Sequence, residues 1–255
     1  MVDYVTTNTD GIAEFRLNRP KSRNSLTFEM YQALEDLCQV PPTGTGAIVL
    51  TAEGEKAFAS GTDISKFREF HSTQDAIEYE AMIGRVIQAV EQSPVPVIAS
   101  LHGVVAGGGA AIAAAADIRL STPDIRFGMP MARTLGNCLS VANLNRLVRL
   151  LGESRVRYLL LTANFIEIDS LIVSGFISEV LPDLISCDQR ARALASHLMT
   201  LAPRTISTTR EGLRRLAGQV LPEDEDLITH CYLSQDFAEG IDAFFAKRKA
   251  NWSGQ

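Results

Sequence analysis

Hydrophobic positions along this chain switch between short runs and helical spacing. Ile12 to Leu17 alternates, with Ile12, Glu14 and Arg16 set against Ala13, Phe15 and Leu17, which predicts a strand. Asn18-Arg19-Pro20 ends it. Leu26, Met30, Leu34, Leu37 and Cys38 recur at helical spacing, and Thr27 is placed to cap that helix. Ala47-Ile48-Val49-Leu50 predicts a short buried strand. Ala57-Phe58-Ala59-Ser60-Gly61-Thr62-Asp63 reads as a strand edge running into a loop, and Ala76 to Val90 as a helix. The rhythm then repeats, with a strand at Pro96–Leu101, a turn at Gly103–Gly109, a short helix at Ala110–Ala116 and a strand at Asp117–Leu120. Leu139 to Ala163 is mostly helical with a break at Gly152. A helical turn at Asp169–Val173 and a strand at Phe176–Val180 follow. From Asp188 onward the pattern is helix after helix, with breaks expected at Pro203, Pro222 and Gly240. Strands alternating with helices argue for an α/β class with crossover connections.

Composition narrows the class without naming a function. The chain has 255 residues, 46% hydrophobic and 21% charged, enough for one large domain with a sizeable core. Its net charge of −6 argues against a nucleic-acid partner. Cys38, Cys138, Cys187 and Cys231 lie far apart, with no CxxC and no Cys/His cluster, so free thiols in a reducing cytoplasm are expected and no metal site. Met1-Val2-Asp3-Tyr4-Val5 has no basic patch followed by an apolar run, so no signal peptide is expected. Gln92 to Ala116 carries no formal charge and is long enough to suggest a membrane span. It also carries two prolines, His102, four glycines and many alanines, so a buried strand, a glycine turn and a buried helix describe it better.

Two segments share a design, Ala59-Ser60-Gly61-Thr62-Asp63-Ile64 and Gly103-Val104-Val105-Ala106-Gly107-Gly108-Gly109-Ala110-Ala111. Each puts glycine where a buried strand hands over to a helix start. Without a Cβ the backbone turns sharply and its N–H groups can be approached by a ligand. At a helix N-terminus those groups lack intrahelical acceptors and carry partial positive charge. Two such turns facing each other supply two donors to one oxygen, an oxyanion hole. Tight helix–strand packing is the alternative use of the same glycines. Gly103 and Gly107 have the wrong spacing for a dinucleotide-binding turn, and no Gly-Lys-Ser/Thr occurs for a phosphate loop.

Four motifs in order resemble the crotonase superfamily, the enoyl-CoA hydratases and isomerases. They are Asn18-Arg19-Pro20 with Asn24-Ser25-Leu26, Ala57-Phe58-Ala59-Ser60-Gly61-Thr62-Asp63-Ile64, His102-Gly103-Val104-Val105-Ala106-Gly107-Gly108-Gly109 with Ala116-Asp117-Ile118-Arg119, and Glu239-Gly240-Ile241-Asp242-Ala243-Phe244 with Lys247-Arg248. The resemblance spans essentially the whole chain. It implies a ββα spiral core over residues 1–195 and a helical C-terminal oligomerisation region over 196–255. It also implies an acyl-CoA thioester as substrate, with coenzyme A as part of it and no separate cofactor. A homotrimer or dimer of trimers is implied, with no nucleic acid and no membrane. The Thr62 and Gly108 N–H groups correspond to the oxyanion donors. Lys21, Ser22, Arg23, Ser60, Ile64, Phe244 and Lys247 fall where the family binds coenzyme A.

The pattern breaks where hydratases place two glutamates. The position two residues after the glycine triplet is Ala111, and Phe127-Gly128-Met129-Pro130 is followed by Met131 and Ala132. General acid–base work needs a titratable group within hydrogen-bond reach of the moving proton. Alanine and methionine supply none, so hydration itself is expected to be weak. Arg133 and Asn137 are the candidate stand-ins, in a segment that also holds Thr134, Cys138 and Ser140. Arg133 is otherwise a surface or interface arginine, Cys138 a small buried residue and His102 a hydrogen-bonded structural histidine. Asp63 and Asp117 fit structural roles. The remaining functions are isomerisation, decarboxylation or hydrolysis of another acyl-CoA, or acyl-CoA binding without catalysis.

Overall fold

The computed structural model describes residues 2–69, 72–217 and 225–253. β1 (Tyr4–Thr9) and β2 (Ile12–Leu17) form an antiparallel hairpin. β3 (Ala47–Ala52), β5 (Val97–Leu101), β7 (Ile118–Ser121) and β10 (Glu179–Val180) join β2 in parallel, in the order β1-β2-β3-β5-β7-β10. A second sheet has the order β4 (Ala57–Ala59), β6 (Val104–Ala106), β8 (Arg126–Gly128) and β9 (Ile166–Glu167). Three times the chain steps from the first sheet to the second, from β3 to β4, β5 to β6 and β7 to β8. α2 (Thr73–Gln92) and α3 (Gly108–Ala115) return it after the first two steps, and α4 (Val141–Leu151) follows the third. This is the expected ββα spiral.

α1 (Phe28–Gln39) begins where Thr27 accepts a hydrogen bond from the Met30 N–H at 3.2 Å. It packs on α2, and both bury an apolar stripe, which on α2 runs through Ala76, Tyr79, Ile83, Val86, Ile87 and Val90. α5 (Glu153–Thr162), α6 (Ile168–Val173), α7 (Leu184–Met199), α8 (Pro203–Ala217), α9 (Glu225–Tyr232) and α10 (Gln235–Phe245) complete the described chain. The division at residue 195 falls inside α7. That helix lays Cys187, Ala191 and Ala195 on Ile12, Ala47, Val49, Ile98 and Leu120 of the first sheet.

Several elements differ from the sequence expectation. β2 is buried on both faces, because α7 covers the side that carries Glu14. Glu14 survives there by pairing with Arg16 at 2.7 Å and Arg192 at 2.9 Å and accepting the Thr51 hydroxyl at 2.8 Å. β1 is a largely exposed, polar strand without an apolar alternation to announce it; its local signal is Asp10-Gly11, both at positive φ, the turn type that closes tight hairpins. β6 occupies part of the expected Gly103–Gly109 turn, and β8 forms from a three-residue segment too short for any periodicity. Of Phe176–Val180 only Glu179 and Val180 pair as strand. Gly240 does not break α10. A Cβ there would lie 2.5 Å from the Leu135 carbonyl oxygen, so glycine serves a close helix–loop approach. Pro222 lies outside the described residues. Among those described, no helix is long and apolar enough to cross a membrane.

Candidate active site

β4 and β6 are parallel neighbours, with Ala57 opposite Val104 and Ala59 opposite Val105. Their C-terminal ends therefore share one edge, and both glycine turns leave from it. Gly61 (φ +120°) and Gly107 (φ +51°) adopt backbone that favours glycine, and a Cβ on Gly107 would sit 3.3 Å from Gly61 Cα. The turns are in contact. Gly108 opens α3 at its first position; a Cβ there would lie 1.8 Å from Tyr31 Oη, so no side chain fits without displacing that ring. The first loop is pinned by Leu26, whose N–H donates to the Gly61 carbonyl and whose carbonyl accepts from the Asp63 N–H, both at 2.8 Å. Thr62 sits between those bonds. Among the described residues, neither the Thr62 nor the Gly108 N–H has a backbone acceptor.

These two residues line a cavity of 510 Å³, and so do Ser22, Arg23, Ser60, Ile64, Asn137 and Phe244. Three other candidates stand apart among the described residues. Lys21 and Arg133 are exposed in single-turn helices, and Lys247 is exposed after α10. Of the residues that the resemblance sets against the family's glutamates, Ala111 and Met131 line the cavity and Ala132 does not; Cys138 lines it as well. Cys38 and Cys187 are buried elsewhere. Burial pushes their thiols up to about 12 and about 11, which leaves them protonated and unreactive. The Cys231 side chain lies outside the described residues.

Asp63 touches the cavity but is committed. Burial opposes its ionisation, yet the Ser65 N–H and the Arg19 guanidinium at 3.0 Å outweigh that and hold its pKa below the usual value. Asp117 accepts the Val97 N–H at 2.8 Å and pairs with Arg210 at 2.9 Å, a structural arrangement just past the C-terminal end of α3, the end opposite Gly108. His102 is 2% exposed, and both ring nitrogens are buried without a well-formed hydrogen bond among the described residues. Its expected hydrogen-bonded structural role is thus only loosely met. Burial dominates and lowers its pKa, against the opposing pull of Asp124 and Asp188.

Four side chains not singled out by motif belong to the site: Tyr79 and Glu80 line the cavity, and Tyr31 and Tyr232 hydrogen-bond to residues that line it. Tyr31 Oη lies 2.8 Å from Thr62 Oγ1, and Thr62 Oγ1 lies 2.9 Å from Tyr79 Oη. Burial raises both tyrosine pKa values, so the chain of hydroxyls is neutral. It braces the loop that presents the Thr62 N–H. Glu80 follows Tyr79 on α2 and also lines the cavity at 8% exposure. Tyr232 Oη of α9 donates to Glu80 Oε1 at 2.6 Å, and Asn137 Nδ2 donates to Tyr232 Oη at 3.1 Å. The sequence signal for Glu80 is an acidic residue on an otherwise apolar helical stripe. Tyr31, Tyr79 and Tyr232 give no such signal, because a tyrosine on an apolar face is ordinary core.

The family description "Enoyl-CoA hydratase/isomerase" matches residues 7–255. The crotonyl-CoA hydratase of Syntrophomonas wolfei is 28% identical, across 94% of this chain and 94% of that protein. The mitochondrial enoyl-CoA hydratase of Pongo abelii is 30% identical, across 97% of this chain and 85% of that protein. Among solved structures, a methylmalonyl CoA decarboxylase complexed with 2S-carboxypropyl CoA superposes with a TM-score of 0.85 at 25% identity, covering 100% of this chain and 99% of that one.

Proposed function

Because this chain belongs to the enoyl-CoA hydratase/isomerase family, we propose that it binds an acyl-CoA thioester and stabilises the enolate of the acyl group between the Thr62 and Gly108 N–H groups. The observation that carries this reading is the contact between the two glycine turns, each presenting an N–H without a backbone acceptor at one cavity. As the α-carbon loses a proton or a carboxylate, negative charge collects on the thioester oxygen. Preorganised donors aimed at that oxygen are worth more there than at the neutral carbonyl. Both donors are backbone groups, so threonine at position 62 costs nothing. Ser22, Arg23, Ser60, Ile64 and Phe244 are proposed to contact coenzyme A, with Lys21 and Lys247 reaching its phosphates as exposed cations. A guanidinium such as Arg23 at the cavity suits a phosphate by charge and fork geometry. No cofactor beyond the coenzyme A of the substrate enters this reading.

Hydration is proposed to be weak. A positioned acid or base contributes roughly 10²–10⁴-fold, and Ala111 and Met131 leave the two usual positions empty of carboxylate. A second reading, decarboxylation of a carboxyacyl-CoA, is supported by the likeness to the decarboxylase structure. Asn137, on the cavity wall, is better placed than Arg133 to meet the acyl group in either reading. The test is to incubate the protein with crotonyl-CoA and a panel of saturated and carboxylated acyl-CoAs, measuring binding and turnover separately. Tight acyl-CoA binding with hydration several orders below an efficient hydratase is expected. No acyl-CoA binding, or efficient crotonyl-CoA hydration, would refute the corresponding half.

A further inference from the structure

We propose that Glu80 is the proton-transfer residue of this cavity, acting on the acyl carbon next to the thioester carbonyl. The inference rests on the acyl-CoA reading above and adds the base that the motifs leave unassigned. Among the described residues, two carboxylates line the cavity, Asp63 and Glu80. Asp63 is spent on Arg19 and on the Ser65 N–H, which stabilise its charged form and make it a poor proton acceptor. Glu80 comes from a helix rather than from the oxyanion loop. It lies on the buried stripe of α2, between Tyr79 and Ile83, where an apolar residue would pack without a desolvation cost.

Three separated segments converge there. α2 supplies the carboxylate, α9 supplies the Tyr232 hydroxyl that fixes Oε1, and the segment before α4 supplies Asn137, which holds that hydroxyl in turn. The Asn137 amide oxygen is buried without a partner among the described residues. This is a polar cluster built into an otherwise apolar wall of Phe67, Ile83, Leu135 and Leu139. It is also tied to the oxyanion turns. The residue before Glu80 bonds the Thr62 side chain, and α2 packs on α3, the helix that Gly108 opens.

The step balances without a co-reactant. A Glu80 carboxylate oxygen takes the proton from the α-carbon, and that C–H bond breaks. Its electron pair forms the enolate, whose charge settles on the thioester oxygen between the Thr62 and Gly108 N–H groups. The proton, held on Glu80, returns to carbon or exchanges with solvent.

Butyryl-CoA in D2O tests this directly. Its α-protons are followed by NMR while binding is measured by calorimetry, using wild type, Glu80→Gln and Glu80→Asp. Wild type is expected to bind and to exchange α-protons. Glu80→Gln should bind with unchanged Kd and exchange at least about 100-fold more slowly. Glu80→Asp keeps the charge but withdraws the oxygens by one methylene, and should lose on the order of 100-fold even if the glutamine variant does not fold. Wild type that binds butyryl-CoA without exchanging its α-protons overturns the Glu80 assignment and leaves the acyl-CoA reading standing. Undiminished exchange in either variant overturns the assignment too. Wild type that does not bind refutes both.

Discussion

At the scale of single residues, the two proposed oxyanion donors differ in what a substitution disturbs. Gly108→Ala sets a Cβ against Tyr31 Oη, and Gly108→Pro deletes the N–H outright. Loss of one such donor should lower kcat by about 10²–10³-fold, read as the rate of whichever acyl-CoA reaction the panel reveals. Thr62→Ala keeps its N–H and loses only the two tyrosine contacts, so its kcat should fall much less than that of Gly108→Pro. Measuring the pair on one substrate separates the backbone donor from the hydroxyl brace. His102 supplies a pH prediction independent of substrate. Burial places its folded pKa below the free value of 6.5, so the unfolded chain takes up the proton more readily. Its contribution to stability is therefore complete above pH 6.5 and is lost as pH falls through the lower folded value. Thermal melts of wild type should decline more steeply in that acid window than those of His102→Asn. Equal slopes in the two proteins would show that His102 does not titrate on unfolding.

At the scale of elements, local signals and tertiary constraints separate cleanly. The start of α1 was legible, because Thr27 is a good cap and its geometry is local. Thr27→Ala should cost about 0.5–2 kcal/mol in a denaturant titration. Gly240 was legible only as a glycine. Its reason lies in Leu135, more than a hundred residues away in sequence, whose carbonyl packs against the α10 backbone. Gly240→Ala improves helix propensity yet should destabilise the protein by about 1–3 kcal/mol through overpacking. A higher Tm for this variant would mean that the loop before α4 yields easily. The same loop holds Asn137, so its displacement should also weaken the Tyr232–Glu80 contact. The hairpin β1–β2 shows the reverse case. Its Asp10-Gly11 turn is a local signal, but a polar strand at a sheet edge has no hydrophobic periodicity to accompany it.

At the scale of the whole molecule, the described surface bears on assembly. Leu213 and Leu216 on α8 are 62% and 80% exposed, as expected of a face that another copy covers. Ile228 and Phe237, on the helices that follow, instead pack into the main core, with Phe237 against the Tyr232 ring. The α8 face is proposed as part of a trimer contact, the number three coming from the family resemblance. Light scattering at micromolar concentration should return a trimer or hexamer, and Leu216→Asp should shift it toward monomer. A monomeric wild type would contradict this.

By itself the sequence determined the alternation of strands and helices, the two glycine turns, and the absence of carboxylate at Ala111 and Met131. These are properties of short segments, set by side-chain period, missing Cβ atoms and residue identity. Only the tertiary structure decided which turns touch, because β4 and β6 are brought side by side by a crossover of more than forty residues. It likewise decided that α7 covers the Glu14 face of β2, and that Glu80, Tyr232 and Asn137 meet. Partners 95 and 152 residues apart leave no common pattern in the chain. What brings them together is the packing of α9 against α2, and that follows from the shape of the whole core.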